Sequence, residues 1–249
     1  MNLLRALLRL KLNVIFELKG LRIYWMQIIS SLFVMPVALL FIQLMASNAG
    51  SQTLAYGLSG FVAATLAGSL IGVLSLRVCN MMLPEVLELY TTFSLSKVEM
   101  VAGMSVTYCL LSLPQIIIAA AVTAIFIPIP NPVLYFLAIL FSMLVLSLLS
   151  SGLGLLVRNY YQAMGLFPLL SFVLVLLSPA YIQPSGSPVF NAVMLLNPVT
   201  HLLNLIRSGL GFTPTVDMLW SWLYLAVLIL ATLWIERRRL RDFYILEKF

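Results

Sequence analysis

The sequence predicts an all-α membrane protein: six transmembrane helices in a single domain covering residues 1–249. Of the 249 residues, 62% are hydrophobic and only 9% are charged, whereas about 25% of the residues in soluble domains are charged. The chain contains several uncharged apolar runs of roughly 20 residues, which is the length a helix needs to cross a bilayer. The basic residues cluster between these runs rather than inside them. These three observations exclude a soluble fold.

Six runs are long enough to span, and they cover residues 23–46, 54–76, 100–127, 133–157, 163–181 and 218–235. An even number of spans places both termini on one side, and thirteen of the fourteen Lys and Arg residues fall there, with Arg207 as the exception. Because basic segments stay in the cytoplasm, we expect a multi-pass protein of the plasma (inner) membrane with cytoplasmic termini. Membrane orientation and anionic lipids also explain the net charge of +6, so we predict no nucleic-acid partner.

Residues 1–22 predict an amphipathic helix that lies along the cytoplasmic face of the membrane. Arg5, Arg9, Asn13 and Glu17 recur every four residues and so form one polar stripe on a helix, while leucines lie away from the stripe. A helix of this kind is typical of the membrane interface. The alternative is an orientation signal without a defined contact. At the other end of the chain, residues 236–249 predict a cytoplasmic tail.

The second span carries small residues at every fourth position, which favours close helix packing; they are Gly60, Ala64, Gly68 and Gly72. Polar residues of the first two spans are candidates for lining a pathway, and the alternative is that they form hydrogen bonds between helices. These candidates are Gln27, Ser30, Ser31, Gln43, Thr65 and Ser69.

The connection between the second and third spans predicts a short cytoplasmic helix over residues 84–90. It begins with a proline, which suits the first turn of a helix. Glu85 and Glu88 are three residues apart and therefore share one face. Acidic residues near a helix start also interact favourably with the helix dipole. The two carboxylates therefore either dock a partner or stabilise the helix.

Residues 189–206 predict a re-entrant helical hairpin before the last span. Its two apolar arms, 189–196 and 199–206, have eight residues each, where a spanning helix needs about 20. They meet at Asn197 and Pro198, and irregular backbone at membrane depth persists only where protein or a water-filled cavity satisfies it. We predict that Asn197 caps the second arm with Pro198 at its first helical position.

The hairpin holds the only histidine of the chain, His201, and the only basic residue of the outer side, Arg207. Six residues apart on a helix, they point about 240° apart and meet different neighbours. For Arg207, the sequence favours an ion pair with Asp217, the only acidic residue on that side, over an anionic headgroup or substrate. For His201, it favours a packing or backbone contact over a substrate contact.

Several kinds of chemical site have no sequence basis. There is no G-x-x-x-x-G-K-[ST] motif for ATP binding, and one histidine with two separated cysteines does not supply a zinc site. No Asp, Glu or Lys lies well inside a predicted span, which leaves a proton relay unsupported. We therefore expect a non-catalytic chain that holds no metal or cofactor of its own.

Two groups of residues resemble the permease subunit of ABC-2 type exporters. The run Asn197-Pro198-Val199-Thr200-His201, followed by Ile206-Arg207, resembles the family's N-P-[LV]-[ST]-x signature and downstream arginine, notably in the drug-resistance and polysaccharide-export branches. Leu87-Glu88, Ser96-Lys97 and Gly103 match its L-E, S-R and G spacing around a coupling helix. Two departures are Met81-Met82-Leu83 in place of a charged E-R-x-x-G run, and Ser94 in place of a proline.

The resemblance implies a transporter of two permease subunits, identical or different, and two separate ATPase subunits that bind ATP and magnesium. This chain would form the pathway for an amphiphilic or lipid-like substrate. Export of a lipid-linked polysaccharide is one alternative; a structural or assembly membrane protein, or a membrane enzyme, is an alternative from another class. The implied ATPase-coupling residues are Glu85, Glu88, Leu89, Tyr90, Arg5 and Arg9, and the implied exit-gate residues are Asn197, Pro198, His201 and Arg207.

Overall fold

The structure is a computed structural model that describes residues 3–20, 51–91, 96–126, 128–180 and 188–246, together with four single positions between 21 and 50. Across these residues it is helical with no strand, as the sequence predicts. The predicted first span, 23–46, lies outside the described residues except at those four positions. Four of the candidate pathway residues lie outside them as well: Gln27, Ser30, Ser31 and Gln43.

The chain begins with α1 (Leu3–Gly20). The second span is one continuous helix of three parts, α2 (Ser51–Leu66), a π-helical segment (Ala67–Leu74) and α3 (Ser75–Met81). The remaining helices are α4 (Pro84–Thr91), α5 (Lys97–Phe126), α6 (Pro132–Leu156), α7 (Tyr160–Leu176), α8 (Pro188–Leu196), α9 (Pro198–Gly209) and α10 (Met218–Leu246).

Four helices among the described residues are long and apolar enough to cross a membrane: Ala55–Met81, Lys97–Ile125, Pro132–Leu156 and Met218–Arg241. They correspond to the predicted second, third, fourth and sixth spans. The predicted fifth span overlaps a helix of 17 residues, α7, which is shorter than the roughly 20 residues of a full crossing. Six spans therefore stay a prediction. The last helix runs on to Leu246, so most of the predicted tail is helical.

The second span lies at the centre of the bundle and is almost entirely buried, whereas α10 lies at the edge with most of its apolar surface exposed. All eight residues of the π-helical segment are buried, and they pack against α5, α6 and α7. Two glycines of the predicted small-residue face allow neighbouring segments to approach the second span closely. A Cβ at Gly60 would overlap the backbone oxygen of Ala180, and one at Gly72 would lie 3.3 Å from the Ser171 hydroxyl.

The two ends of the bundle differ in the number of basic residues that the structure describes at each. At the basic end lie α1, α4, the start of α5, the loop 157–159 and the final turns of α10. At the far end lie the start of α2, the loop 128–131, residues 177–180, the helices α8 and α9, and the start of α10. Of the basic residues that the structure describes, Arg207 alone is at the far end. Helix α6 joins the two ends over about 37 Å, enough to cross a bilayer.

Candidate functional site

Helix α1 is docked onto the bundle through its polar stripe. Asn13 and Glu17 are buried, and the Asn13 side-chain amide donates to the backbone oxygens of Glu99 at 2.8 Å and Met100 at 3.2 Å, in the first turn of α5. The exposed side chains of α1 include Leu8, Leu12, Ile15 and Leu18. The helix therefore turns its polar face to protein and an apolar face outward. This rules out the alternative of an orientation signal without a defined contact.

Three side chains form what we call the inner cluster: the buried Glu17 and Tyr90 and the partly buried Arg77. Arg77 donates from Nε to Glu17 Oε2 at 3.0 Å and from Nη2 to Glu17 Oε1 at 3.1 Å. Arg77 Nη2 also donates to the Tyr90 hydroxyl at 3.0 Å, and that hydroxyl donates to Glu17. Burial raises the pKa of the Tyr90 phenol, which keeps the proton on its oxygen. The cluster thus joins α1, the end of the second span and α4.

Helix α4 confirms the short helix predicted after the second span, with Pro84 in its first turn. Its two sides differ. Glu85 and Glu88 are exposed, whereas Tyr90 is fully buried in the inner cluster, with Phe16 packed edge-on against its ring at 5.7 Å. The side chain of Leu89 lies outside the described part of the chain. Tyr90 therefore anchors α4 from inside, and the two carboxylates remain on its accessible face.

A second contact between α1 and α5 at the basic end is formed by Arg9 and Glu99. Arg9 lies 3.9 Å from Glu99 in an ion pair, and the Arg9 side chain is 47% exposed. Glu99 also accepts from the backbone nitrogen and hydroxyl of Ser96, each at 2.8 Å. Arg5 is on α1, but its side chain lies outside the described part. Exposed pairs of this kind contribute about 0–1 kcal/mol, so the buried contacts of Asn13 and Glu17 dominate the docking of α1.

Gly103 provides the space into which Asn13 fits, and replacing it with alanine is expected to detach α1. A Cβ at position 103 would overlap the Asn13 amide. Moving that amide breaks its two hydrogen bonds to α5, and a typical bond contributes about 0.5–1.5 kcal/mol. We expect Gly103→Ala to lower the free energy of unfolding by about 1–3 kcal/mol, measured by thermal melting in vesicles, and to raise proteolysis of α1.

The matched control for that prediction is Gly20→Ala at the end of α1, where an added Cβ meets nothing within 4 Å. It is expected to melt like the unsubstituted protein. If Gly103→Ala melts no lower than Gly20→Ala, the Asn13 contact does not hold α1 in place.

At the far end, Asn197 separates the two helices α8 and α9 of the predicted hairpin. Its Oδ1 accepts from the backbone nitrogen of Val199 at 3.0 Å, and Pro198 is the first residue of α9. The predicted cap is therefore confirmed. The Asn197 Nδ2 group also donates to the backbone oxygen of Leu174 at 2.6 Å. This second bond ties the hairpin to α7.

His201 is buried between the hairpin and the last helix. Its Nε2 lies 2.9 Å from the backbone oxygen of Leu195, and its Nδ1 lies 3.1 Å from the Ser221 hydroxyl. Because a carbonyl only accepts, we assign the proton to Nε2 and let Nδ1 accept from Ser221. The ring stacks on Tyr224 at 4.2 Å between centroids. The predicted packing and backbone contacts of His201 are confirmed.

Arg207 does not form the ion pair with Asp217 that the sequence favours, so that prediction is wrong. Asp217 instead accepts from the backbone nitrogen of Leu219 at 2.8 Å, capping the start of α10. Within the described residues, no carboxylate lies within 4 Å of the Arg207 guanidinium. A helix start that needs a cap competes successfully for a nearby carboxylate, and Arg207 points away from it.

The actual partners of Arg207 are all uncharged: Tyr56, Ser59 and Ala180. We call Arg207, these three partners and Gly60 the outer cluster. Arg207 Nε donates to the Ser59 hydroxyl at 2.9 Å, and Nη2 donates to the backbone oxygens of Ala180 at 3.1 Å and Tyr56 at 3.4 Å. The guanidinium carbon lies 3.5 Å from the centre of the Tyr56 ring. The outer cluster therefore links α9 to the start of the second span and to the turn after α7.

The tyrosine of the outer cluster also binds that turn directly, since its hydroxyl donates to the backbone oxygen of Pro179 at 2.8 Å. No sequence motif marks Tyr56 or Ser59 as functional residues. Both lie near the beginning of an apolar span, one turn apart, and the only signal that could have found them is that a buried arginine needs acceptors. The pairing of Glu17 with Arg77 likewise has no sequence signal beyond the need of a buried charge for a partner.

The two candidate pathway residues that the structure describes are both buried in the second span. Ser69 donates to the backbone oxygen of Leu66 in its own helix at 3.3 Å, and the Thr65 hydroxyl makes no hydrogen bond with any described residue. Neither forms the hydrogen bond between helices that was the alternative for them. A role in a pathway stays a prediction for both. In the described part of the chain, no three His, Cys, Asp or Glu residues are grouped to hold a metal ion.

Apolar helices of membrane length, with the described basic residues gathered at one end, define a multi-pass membrane protein. The sequence model of the ABC-2 type transporter family matches residues 9–211, more than four fifths of the chain. The chain therefore belongs to the ABC-2 type transporter family and is a membrane component of an ABC transporter, whose permeases associate with an ABC ATPase. The match includes both clusters. No curated protein and no solved structure matches significantly.

Proposed function

We propose that this chain is the permease subunit of an ATP-driven exporter that moves an amphiphilic or lipid-like molecule out of the cell. It pairs with a second permease subunit and with two ATPase subunits, which bind ATP and magnesium, and it has no catalytic activity of its own. The gathering of basic residues at one end supports a cytoplasmic basic end in the plasma membrane. The scarcity of acidic residues and lysines inside the spans argues against a small ion as the cargo.

The observation that carries the proposal is the inner cluster. Helix α4 presents Glu85 and Glu88 at the basic end, where a cytoplasmic ATPase would dock. Its opposite side is bound through Tyr90 to Arg77, the one basic residue of the second span, and to Glu17 of α1. A displacement of α4 therefore moves the central helix of the bundle and α1 together. ATP binding would bias the equilibrium between two such arrangements.

The hairpin of α8 and α9 would act as the exit gate in this proposal. Three residues of the hairpin bind three different neighbours. Asn197 binds α7, His201 binds α10, and Arg207 binds the start of the second span. Motion of the second span would reach the hairpin through Arg207. The coupling helix and the gate are thus attached to opposite ends of the same central helix.

Copurification tests the proposed assembly. The chain is expressed with its genomic neighbours and purified through a tag on the chain itself. We expect an ATP-binding subunit to copurify at equal stoichiometry in a defined complex. If the chain is stable and active without any ATPase subunit, the exporter proposal is wrong.

Glu88→Ala tests the docking face of α4. Losing one charged contact at an interface that couples ATP to transport is expected to lower substrate-stimulated ATP turnover about fivefold or more. Membrane insertion should not change, because Glu88 is exposed. Lys19→Ala, an exposed charge at the basic end on α1, is the matched control and should keep normal turnover. Equal turnover in the two variants would remove Glu88 from the docking face.

A further inference from the structure

The charge of Arg207 is not neutralised by any part of this chain near it. The residue is only 2% exposed, its hydrogen-bond partners are uncharged, and its Nη1 group makes no hydrogen bond with the described residues. The segments 21–50 and 181–187, which adjoin the outer cluster in sequence, contain no Asp or Glu. Burying an uncompensated charge is costly, so such groups pair with an opposite charge or shed theirs, and arginine keeps its proton.

The outer cluster lies close to the level at which the spans end. Gly209, two residues after Arg207, packs against the backbone of Tyr135 in the first turn of α6. Tyr56 lies in the second turn of α2. The ends of membrane-length helices are where the headgroup region begins. At that level the phosphate of an amphiphile is an available source of negative charge.

We propose that the outer cluster is a phosphate-binding site, in which Arg207 binds the phosphate of an amphiphilic molecule. The neutral contacts to Ser59 and to the backbone oxygens hold the guanidinium ready without cancelling its charge. A phosphate adds the attraction of an opposite charge to its hydrogen bonds with the guanidinium, so it displaces these contacts to uncharged groups when the hairpin moves away from the second span. The planar fork of arginine matches two phosphate oxygens at once. This inference rests on the proposed exporter function and specifies the headgroup chemistry of its ligand.

The test uses the complex of this chain with its ATPase in vesicles of phosphatidylcholine that contain a small fraction of phosphatidic acid. Phosphatidic acid molecules that remain bound are counted by native mass spectrometry. Arg207→Gln keeps a polar side chain but removes the charge, and it should weaken retention about tenfold, as expected for losing one charged hydrogen-bonding group. Ser59→Ala removes a neutral competitor for the guanidinium and should increase retention.

Arg238→Gln is the control, because Arg238 is exposed at the basic end and stacks on Trp234. The loss of lipid in Arg238→Gln measures how much phosphatidic acid binds nonspecifically to the arginines of the basic end. If Arg207→Gln loses no more lipid than Arg238→Gln, the proposal is overturned. Should Arg207→Gln fail to fold, Ser59→Ala decides: increased retention supports the site, and unchanged retention overturns it.

A second arm separates the sources of phosphate. In vesicles of phosphatidylcholine alone, inorganic phosphate is added and the melting temperature is recorded, since a ligand of the folded state raises it. No shift is expected. A shift that requires Arg207, without retention of phosphatidic acid, would overturn the assignment to an amphiphile. Copurification of the ATPase does not involve the outer cluster, so a failure of this inference and a failure of the exporter proposal are separate results.

Discussion

Replacing Arg77 with methionine is expected to lower the free energy of unfolding by about 3–5 kcal/mol and to abolish substrate-stimulated ATP turnover. The substitution leaves Glu17 with a carboxylate that is 1% exposed and has lost both hydrogen bonds from the guanidinium. Removing one partner of a buried ion pair is more costly than replacing the pair, because the remaining charge is left in a medium of low polarity. It also removes the hydrogen bond between Arg77 and Tyr90, so α4 keeps its bond to Glu17 of α1 but is no longer joined to the second span through this cluster.

The double variant Glu17→Gln with Arg77→Met separates these two effects. It leaves no charge in the inner cluster, so much of the lost stability should return, while the connection between α4 and the second span stays broken. Thermal melting and ATP turnover of the reconstituted complex measure the two effects independently. Arg9→Ala is the control, because the Arg9 side chain is 47% exposed and lies 3.9 Å from Glu99, so its loss should change the stability by at most about 1 kcal/mol. Equal melting of Arg77→Met and Arg9→Ala would contradict the inner cluster.

Replacing Gly60 with alanine is the second change from which we expect a large effect. An added methyl group would occupy the position of the Ala180 backbone oxygen, and a backbone atom has little freedom to give way. The turn after α7 must then move away from the second span, which breaks its hydrogen bonds to Arg207 and to the Tyr56 hydroxyl. Overpacking of this kind costs about 1–3 kcal/mol, and we expect the upper end of that range together with impaired export.

Gly165→Ala is the matched control for Gly60→Ala, because it lies in α7 and an added methyl group there meets nothing within 4 Å. It should be neutral, or stabilising by about 0.5–1 kcal/mol. Melting in vesicles measures stability, and efflux of a fluorescent amphiphile measures export. If Gly60→Ala melts and exports like Gly165→Ala, the close approach of Ala180 to the second span is not required for either property.

The parts of the fold that local signals specify were predicted from the sequence. Pro84 marks the start of α4, and the Asn197-Pro198 pair marks the junction of α8 and α9, as the cap on Val199 shows. The four-residue spacing from Gly60 predicted a close helix approach, which occurs at Gly72 against Ser171 of α7, whereas the close neighbour of Gly60 is the turn at Ala180. Each of these signals acts within one or two turns of helix, and apolar runs add the approximate bounds of the spans.

The pairing of distant residues could not be read in this way. The polar stripe of α1 was visible in the sequence, but its direction toward α5 was not. The family resemblance implied Tyr90 as an ATPase-coupling residue, but no sequence pattern showed that its ring is buried against Glu17 and Arg77. An amphipathic pattern shows which residues share a face, and it contains no information about which neighbour that face meets.

The sequence by itself determined the membrane class, the helical fold, the gathering of charge at one end and the family of this protein, because these follow from composition, periodicity and short motifs. Only the tertiary structure decided which groups satisfy the buried charges. Arg207 lies 148 residues from Ser59, and Arg77 lies 60 residues from Glu17. Buried polar groups must find partners wherever packing brings them, and across such separations the packing of whole helices, not the local sequence, selects the partner.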